Sequence, residues 1–170
     1  MRIQCIERTA RESVLGLGRR LHAESAQARL SFDEDAASDF LEGVLAEMDQ
    51  GVACGFLAVS ARGLPAGLLL GRLGRYPFSR HVIAHDRLFY VAPEFRGSNA
   101  AVKLLRGFNR WARLRGAHHL YLAEWGGIES KRFARLMRRT GFDLVGGNYG
   151  KWLKTPIPME GDRQDGMGTG

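Results

Sequence analysis

Polar and apolar residues alternate over residues 2–7, which predicts an opening strand. The period then lengthens. Thr9 followed by Glu12 has capping-box spacing and predicts a helix reaching about Ala23. Residues 32–35 open a second helix, in which Phe40, Leu41, Val44, Leu45 and Met48 recur at helical spacing until Gly51. From Val52 the pattern changes to apolar runs. Residues 52–60 and 66–73, joined by Ala-Arg-Gly-Leu-Pro, predict a hairpin turning at Arg62 and Gly63, and residues 82–91 predict the next strand. Residues 99–115 read as a helix burying Ala101, Leu104, Leu105, Phe108, Trp111, Ala112 and Leu114, stopped by Gly116. A short strand over 119–124, a helix over 130–140 ended by Gly141, and two strands over 142–145 and 149–154 around Gly146-Gly147-Asn148 complete the pattern.

The order is strand, two helices, three strands, helix, strand, helix, two strands. Hairpins give antiparallel neighbours and strand–helix–strand units allow parallel ones, so an α/β domain with a mixed sheet is predicted over residues 1–154. Residues 155–170 carry no apolar period and are rich in Gly and Pro, which predicts a disordered tail.

Composition narrows the partners more than the fold. With 170 residues, 45% hydrophobic and 25% charged, the chain suits one soluble domain. No apolar run approaches the ~20 residues of a membrane helix, and residues 1–7 are too polar for a secretory signal, so a cytoplasmic protein without membrane contact is expected. A formal net charge of +7 favours an anionic partner, such as a phosphate-bearing cofactor or nucleic acid. Cys5 and Cys54 lie in strand-like runs without metal-ligand spacing and read as small buried hydrophobes. His118 and His119 are adjacent on a strand, hence on opposite faces, and no third ligand is spaced to join them; no metal is predicted.

The most informative stretch is Val-Ala-Pro-Glu-Phe-Arg-Gly-Ser-Asn-Ala-Ala, ending at Ala101. It passes from a strand through a small-residue turn into a helix. Amides in the first turn of a helix lack intrahelical acceptors, and the macrodipole there is positive, so such a turn can hold phosphate. Gly97, Ser98, Ala100 and Ala101 would let an anion approach the backbone, and Arg96 would add a charge-assisted bond. Residues 96–101 resemble the Arg/Gln-x-x-Gly-x-Gly/Ala signature of the GCN5-related N-acetyltransferases, the GNAT family, and the element order over residues 2–154 is also similar to that family's. Asn99 stands where the family has glycine; asparagine is the residue next best able to take a left-handed conformation.

The resemblance implies a GNAT-like fold: a central mixed, mostly antiparallel, twisted sheet of about seven strands flanked by about four helices. It implies acetyl-coenzyme A as cosubstrate, with the diphosphate on Arg96, Gly97, Ser98, Asn99, Ala100 and Ala101. The pantetheine arm would follow the main chain of Phe89 and Val91, where the strand over 87–91 splays from that over 119–124. Direct transfer to a primary amine, on a small molecule or a peptide, is the implied reaction, and the family likeness leaves room for a homodimer.

Acetyl transfer to an amine needs a proton acceptor, a donor to the thioester carbonyl, and a proton for the departing thiolate. Glu124 is the first candidate base, followed by Asp86 or His85; each is equally readable as a solvated strand end. The family's acidic tyrosine falls four residues before the Gly-Phe pair at the end of the last helix, which here is Met137, a residue with no proton to give. Tyr149, Tyr121 or water remain as acids. Ser130 stands where relatives have a pantetheine-contacting asparagine, and it also reads as a helix N-cap. Lys103, Arg106, Arg110 and Arg113, with Arg132, Arg135 and Arg139, form basic stripes on two helices. Lys103 or Arg106 would suit the 3′-phosphate of coenzyme A. The alternative reading is a non-catalytic module of the same fold that binds nucleic acid or a protein through these stripes.

Overall fold

A computed structural model describes residues 1–124 and 126–152. Strand β1 (Arg2–Cys5) passes through a single turn at Arg8–Ala10 into α1 (Arg11–Glu24), and a turn at Ala26–Arg29 leads to α2 (Glu34–Asp49). Thr9 does not cap α1. It lies inside the tight turn, and Ala10 precedes the helix without a side-chain bond, while the Ala10 amide is satisfied by Glu7 O at 2.9 Å. α2 starts on a side-chain cap: Asp33 accepts from the Ala36 amide at 2.9 Å, and Glu34 and Asp35 sit in the positive first turn.

The hairpin β2 (Ala53–Val59) and β3 (Pro65–Arg75) is followed by β4 (Val82–Val91), then α3 (Ala100–Leu114), the short β5 (His119–Tyr121) and α4 (Ser130–Arg139). The sheet order is β1-β2-β3-β4-β5, antiparallel except for the parallel β4–β5 pair. Alternate residues of the sheet feed two cores. Leu57, Leu68, Leu70 and Tyr90 pack with Val14, Leu17, Leu41 and Val44 of α1 and α2. On the other face Cys54, Ala58, Leu69 and Ala84 pack with Leu104, Leu105 and Phe108 of α3 and Met137 of α4. Phe108 lies so close to the sheet that a Cβ on Gly71 would be 2.3 Å from its ring; only glycine fits there. The buried stripe of α3 is Ala100, Leu104, Leu105, Phe108 and Ala112. It excludes the expected Leu114, which is 76% exposed, and leaves Ala101 and Trp111 half-buried.

One irregularity in the central pair shapes the rest. Leu70 pairs with Leu88 but Gly71 pairs with Asp86, so Arg87 is an extra residue, a β-bulge. Arg87 and Leu88 consequently face the same layer: Arg87 reaches Glu47 of α2 at 3.0 Å and covers the Phe40 ring, while Leu88 packs on the α1/α2 core. The bulge also exchanges which main-chain groups face which neighbour. Before it, Val82 O accepts from His118 N at 2.8 Å, so even positions face β5. After it, Ala92 N donates to Ala66 O at 3.0 Å, so even positions face β3, and Phe89 and Val91 present their amides and carbonyls to the β5 side.

The C-terminal part differs from expectation. Residues 142–152 form no strand, although two were predicted over 142–145 and 149–154; Lys154 and the tail 155–170 lie outside the described residues. Leu144 is 92% exposed and Tyr149 wholly so. A hairpin this short is marginal without a sheet edge to join, and β5 offers three residues. Among the described residues the sheet therefore has five strands rather than about seven, flanked by four α-helices.

Candidate functional site

The turn between β4 and α3 starts with Pro93–Phe95, one turn of tight helix. Arg96 N bonds Pro93 O and Ser98 N bonds Phe95 O, both at 3.1 Å, and Ser98 Oγ accepts from Ala100 N at 3.2 Å. Among the described residues, the amides of Gly97, Asn99, Ala101 and Val102 have no protein acceptor. They gather at the positive end of a 15-residue helix, the arrangement that holds an anion with backbone alone. The left-handed residue is Gly97, at φ 97°; Asn99, at φ −84°, needs no such tolerance.

Arg96 does not point at this anion position. Its Nε donates to Val91 O at 2.9 Å, Nη2 lies 2.6 Å from Glu24 and Nη1 3.6 Å from Glu129, and its guanidinium lies against the Tyr90 ring. It braces the end of α1, the end of β4 and the start of α4. Tyr90 donates its hydroxyl to Glu24, and burial together with that bond raises the phenol's pKa. The cation beside the turn is Arg132 of α4: a Cβ on Gly97 would be 3.2 Å from its Nη2. The sequence shows Arg132 as one of a stripe, and nothing local tells which member reaches the turn. Arg132 is held by Glu129 at 3.1 Å, and Glu129 has φ 49°, the one non-glycine residue with positive φ among those described. Lys103 is turned elsewhere, its Nζ donating to Met1 O at 2.6 Å. Arg106 is exposed and lines the cleft.

That cleft, about 1280 Å³, runs from the turn along the inner side of α3 and α4, and Phe89, Val91, Arg96, Gly97, Ser98, Asn99 and Ala101 all border it. Ala100 is buried beneath, and Ser130 lies at the start of α4. At the floor of the cleft β4 and β5 part. Their ladder covers Ile83–His119, Ala84–Leu120 and His85–Tyr121 and no further. Immediately beyond, Asp86 Oδ1 accepts from the Ala123 amide at 2.8 Å. Asp86 is 2% exposed, Oδ2 has no partner among the described residues, and burial, partly offset by the Ala123 bond, pushes the carboxyl up to about 6.

The other candidates are dispersed. Glu124 is half-buried at the cleft's edge, and Ser130 donates its hydroxyl to it; Glu129, not Ser130, occupies the N-cap position. Tyr149 does not border this cleft; it lines an adjoining hollow that Glu124 and Ser130 also touch. His85 places Nδ1 3.2 Å from Asp86 O, and Tyr121 packs edge-on to His119. Met137 is buried in the core under α3. Cys54 is buried and its thiol is pushed up to about 12, which leaves it unreactive.

No family model and no curated protein sequence matches the chain. Solved structures do. The aminoglycoside antibiotic 6′-N-acetyltransferase AAC(6′)-IG from Acinetobacter haemolyticus superposes with a TM-score of 0.68 at 19% identity, over 92% of this chain and 99% of that one. AAC(6′)-Iy, in complex with the bisubstrate analogue CoA-S-monomethyl-acetylneamine, gives 0.71 at 17%, over 91% and 98%. A transcriptional regulator from Bacillus halodurans gives 0.69 at 13%, over 89% and 99%. The chain thus has the fold of the GNAT acetyltransferases.

Proposed function

We propose that the chain is an N-acetyltransferase that uses acetyl-coenzyme A and transfers acetyl directly to a primary amine. The observation that carries this reading is the cluster of unpartnered amides at the start of α3, opening into a cleft whose floor is an unpaired strand edge. The diphosphate would lie on the amides of Gly97, Asn99, Ala101 and Val102, with Arg132 as the adjacent cation. The pantetheine arm would take the place of the missing strand beside Phe89, bringing the thioester to the fork near Glu124.

There the amine nitrogen would attack the thioester carbon, forming the amide as the carbon–sulfur bond breaks. Glu124, held by Ser130, is the carboxylate at the cleft edge suited to take the ammonium proton, directly or through water. The electron pair leaves on sulfur. Met137 offers no acid, and Tyr149 is wholly exposed and does not border the cleft, so the thiolate would take its proton from solvent; a pKa of about 8.5 makes it an acceptable leaving group. The aminoglycoside acetyltransferases of this fold favour a small-molecule amine over a peptide as acceptor. Calorimetric titration with acetyl-coenzyme A, followed by detection of free thiol on mixing with amines, tests the reading. Absence of binding at millimolar coenzyme removes it.

A second reading has one specific support. Arg106, Arg110, Arg113, Arg132, Arg135 and Arg139 all border the same cleft, and a regulator shares the fold. A nucleic-acid backbone could lie there in place of the coenzyme. Filter binding to RNA and DNA oligomers across a salt series separates the two, because backbone binding falls steeply with salt.

A further inference from the structure

The fork between β4 and β5 has a cause that lies in one side chain. A bulge alone changes the register of β4; it does not keep a neighbouring parallel strand away. After the last pair, His85–Tyr121, the ladder could continue, yet the amide of Ala123 is taken at 2.8 Å by the carboxylate of Asp86 rather than by a main-chain carbonyl. Asp86 itself sits directly before the bulged Arg87, at the last position ahead of the bulge whose main chain faces β5. Its own carbonyl is approached by the His85 imidazole at 3.2 Å. Beyond this point the Val91 carbonyl is covered by Arg96, whereas among the described residues the Phe89 amide and carbonyl meet no strand. A charged group 2% exposed, with one oxygen unpartnered among the described residues, is costly, and such a group persists where the fold requires it.

We propose that Asp86 is a positioning residue for the coenzyme's pantetheine arm: by holding the Ala123 amide with its side chain it ends the β4–β5 ladder and keeps the Phe89 main chain open to the arm. This rests on the proposed function. Asp86 touches neither diphosphate nor acceptor; it acts through β5. An alanine there frees the Ala123 amide, lets β5 drift toward β4 and narrows the groove, while the turn at residues 96–102 is untouched.

The experiment titrates two probes into the wild type, Asp86→Ala and Asp86→Asn: coenzyme A, and adenosine 3′,5′-bisphosphate, which has no pantetheine arm and reads the turn alone. Asp86→Ala is expected to lose about tenfold in affinity for coenzyme A, the worth of one or two hydrogen bonds, and to keep its affinity for the nucleotide. Asp86→Asn retains the acceptor oxygen and is expected to bind both probes like the wild type. Hydrogen exchange at the Ala123 amide should quicken in Asp86→Ala alone. Unchanged coenzyme A affinity in Asp86→Ala, equal loss of both probes, or a loss in Asp86→Asn as large as in Asp86→Ala overturns the inference. A wild type that binds no coenzyme A removes the proposed function instead, and the Ala123 exchange rate still decides whether Asp86 holds the fork.

Discussion

Replacing Asp86 by asparagine should change how stability depends on pH, by an amount the structure sets. In the folded chain burial holds the Asp86 carboxyl at about 6, against an ordinary value of 3.8. Between those values the folded state binds the proton more tightly than the unfolded state, so stability falls as pH rises from about 4 to about 6 and is level above. The difference corresponds to about 3 kcal/mol of destabilisation carried by the ionised carboxylate at neutral pH. Asparagine keeps the oxygen that accepts from Ala123 and removes the charge, but it places an amide NH2 where Oδ2 has no partner among the described residues. An unsatisfied buried donor costs about 1–3 kcal/mol. At pH 7.5 the two effects leave Asp86→Asn level with the wild type or more stable; at pH 4 only the cost remains. The quantity to measure is the stability of the variant minus that of the wild type, from urea unfolding at both pH values with equal m-values. It should shift by about 2.4 kcal/mol in favour of the variant between pH 4 and pH 7.5. His85 and the other titrating groups are common to both proteins and cancel. Parallel pH profiles would refute the reasoning, since they would mean that the carboxylate is not desolvated in the folded chain.

Three further substitutions probe the turn. Gly97→Val forces a branched side chain into φ 97° and against Arg132, and should cost about 1–3 kcal/mol in thermal or urea unfolding and abolish coenzyme A binding in calorimetry. Arg132→Ala should weaken coenzyme A binding roughly tenfold, whereas Glu129→Gln, which releases Arg132 from its present partner, should tighten it severalfold at low salt; effects of the same sign in both would refute the role given to Arg132.

Much of this molecule follows from local pattern. The runs of residues 52–60 and 66–73 could only pair as a hairpin. The apolar stripes of α2 and α3 fixed which faces seek a core, and the small residues after Pro93 marked a helix start whose amides would be free. These are short-range consequences of backbone geometry, so the sequence carries them whole. Where the pattern was short it misled: the stretches on either side of Gly146-Gly147-Asn148 read as a hairpin, but a strand is stabilised by its neighbour, and among the described residues none pairs with residues 142–152. The direction of Arg96, taken up by Val91, Glu24 and Glu129, and the choice of Arg132 from its stripe depend on how α1 and α4 sit against the turn. No spacing along the chain encodes that. Asp86 makes the division plain. From sequence it is a charged residue near a strand end, equally a base or a solvated side chain. Only the bulge at Arg87, the burial of the side chain and the meeting with Ala123, 37 residues away, turn it into the support of a fork, because desolvation and long-range hydrogen bonding exist only once the layers are packed.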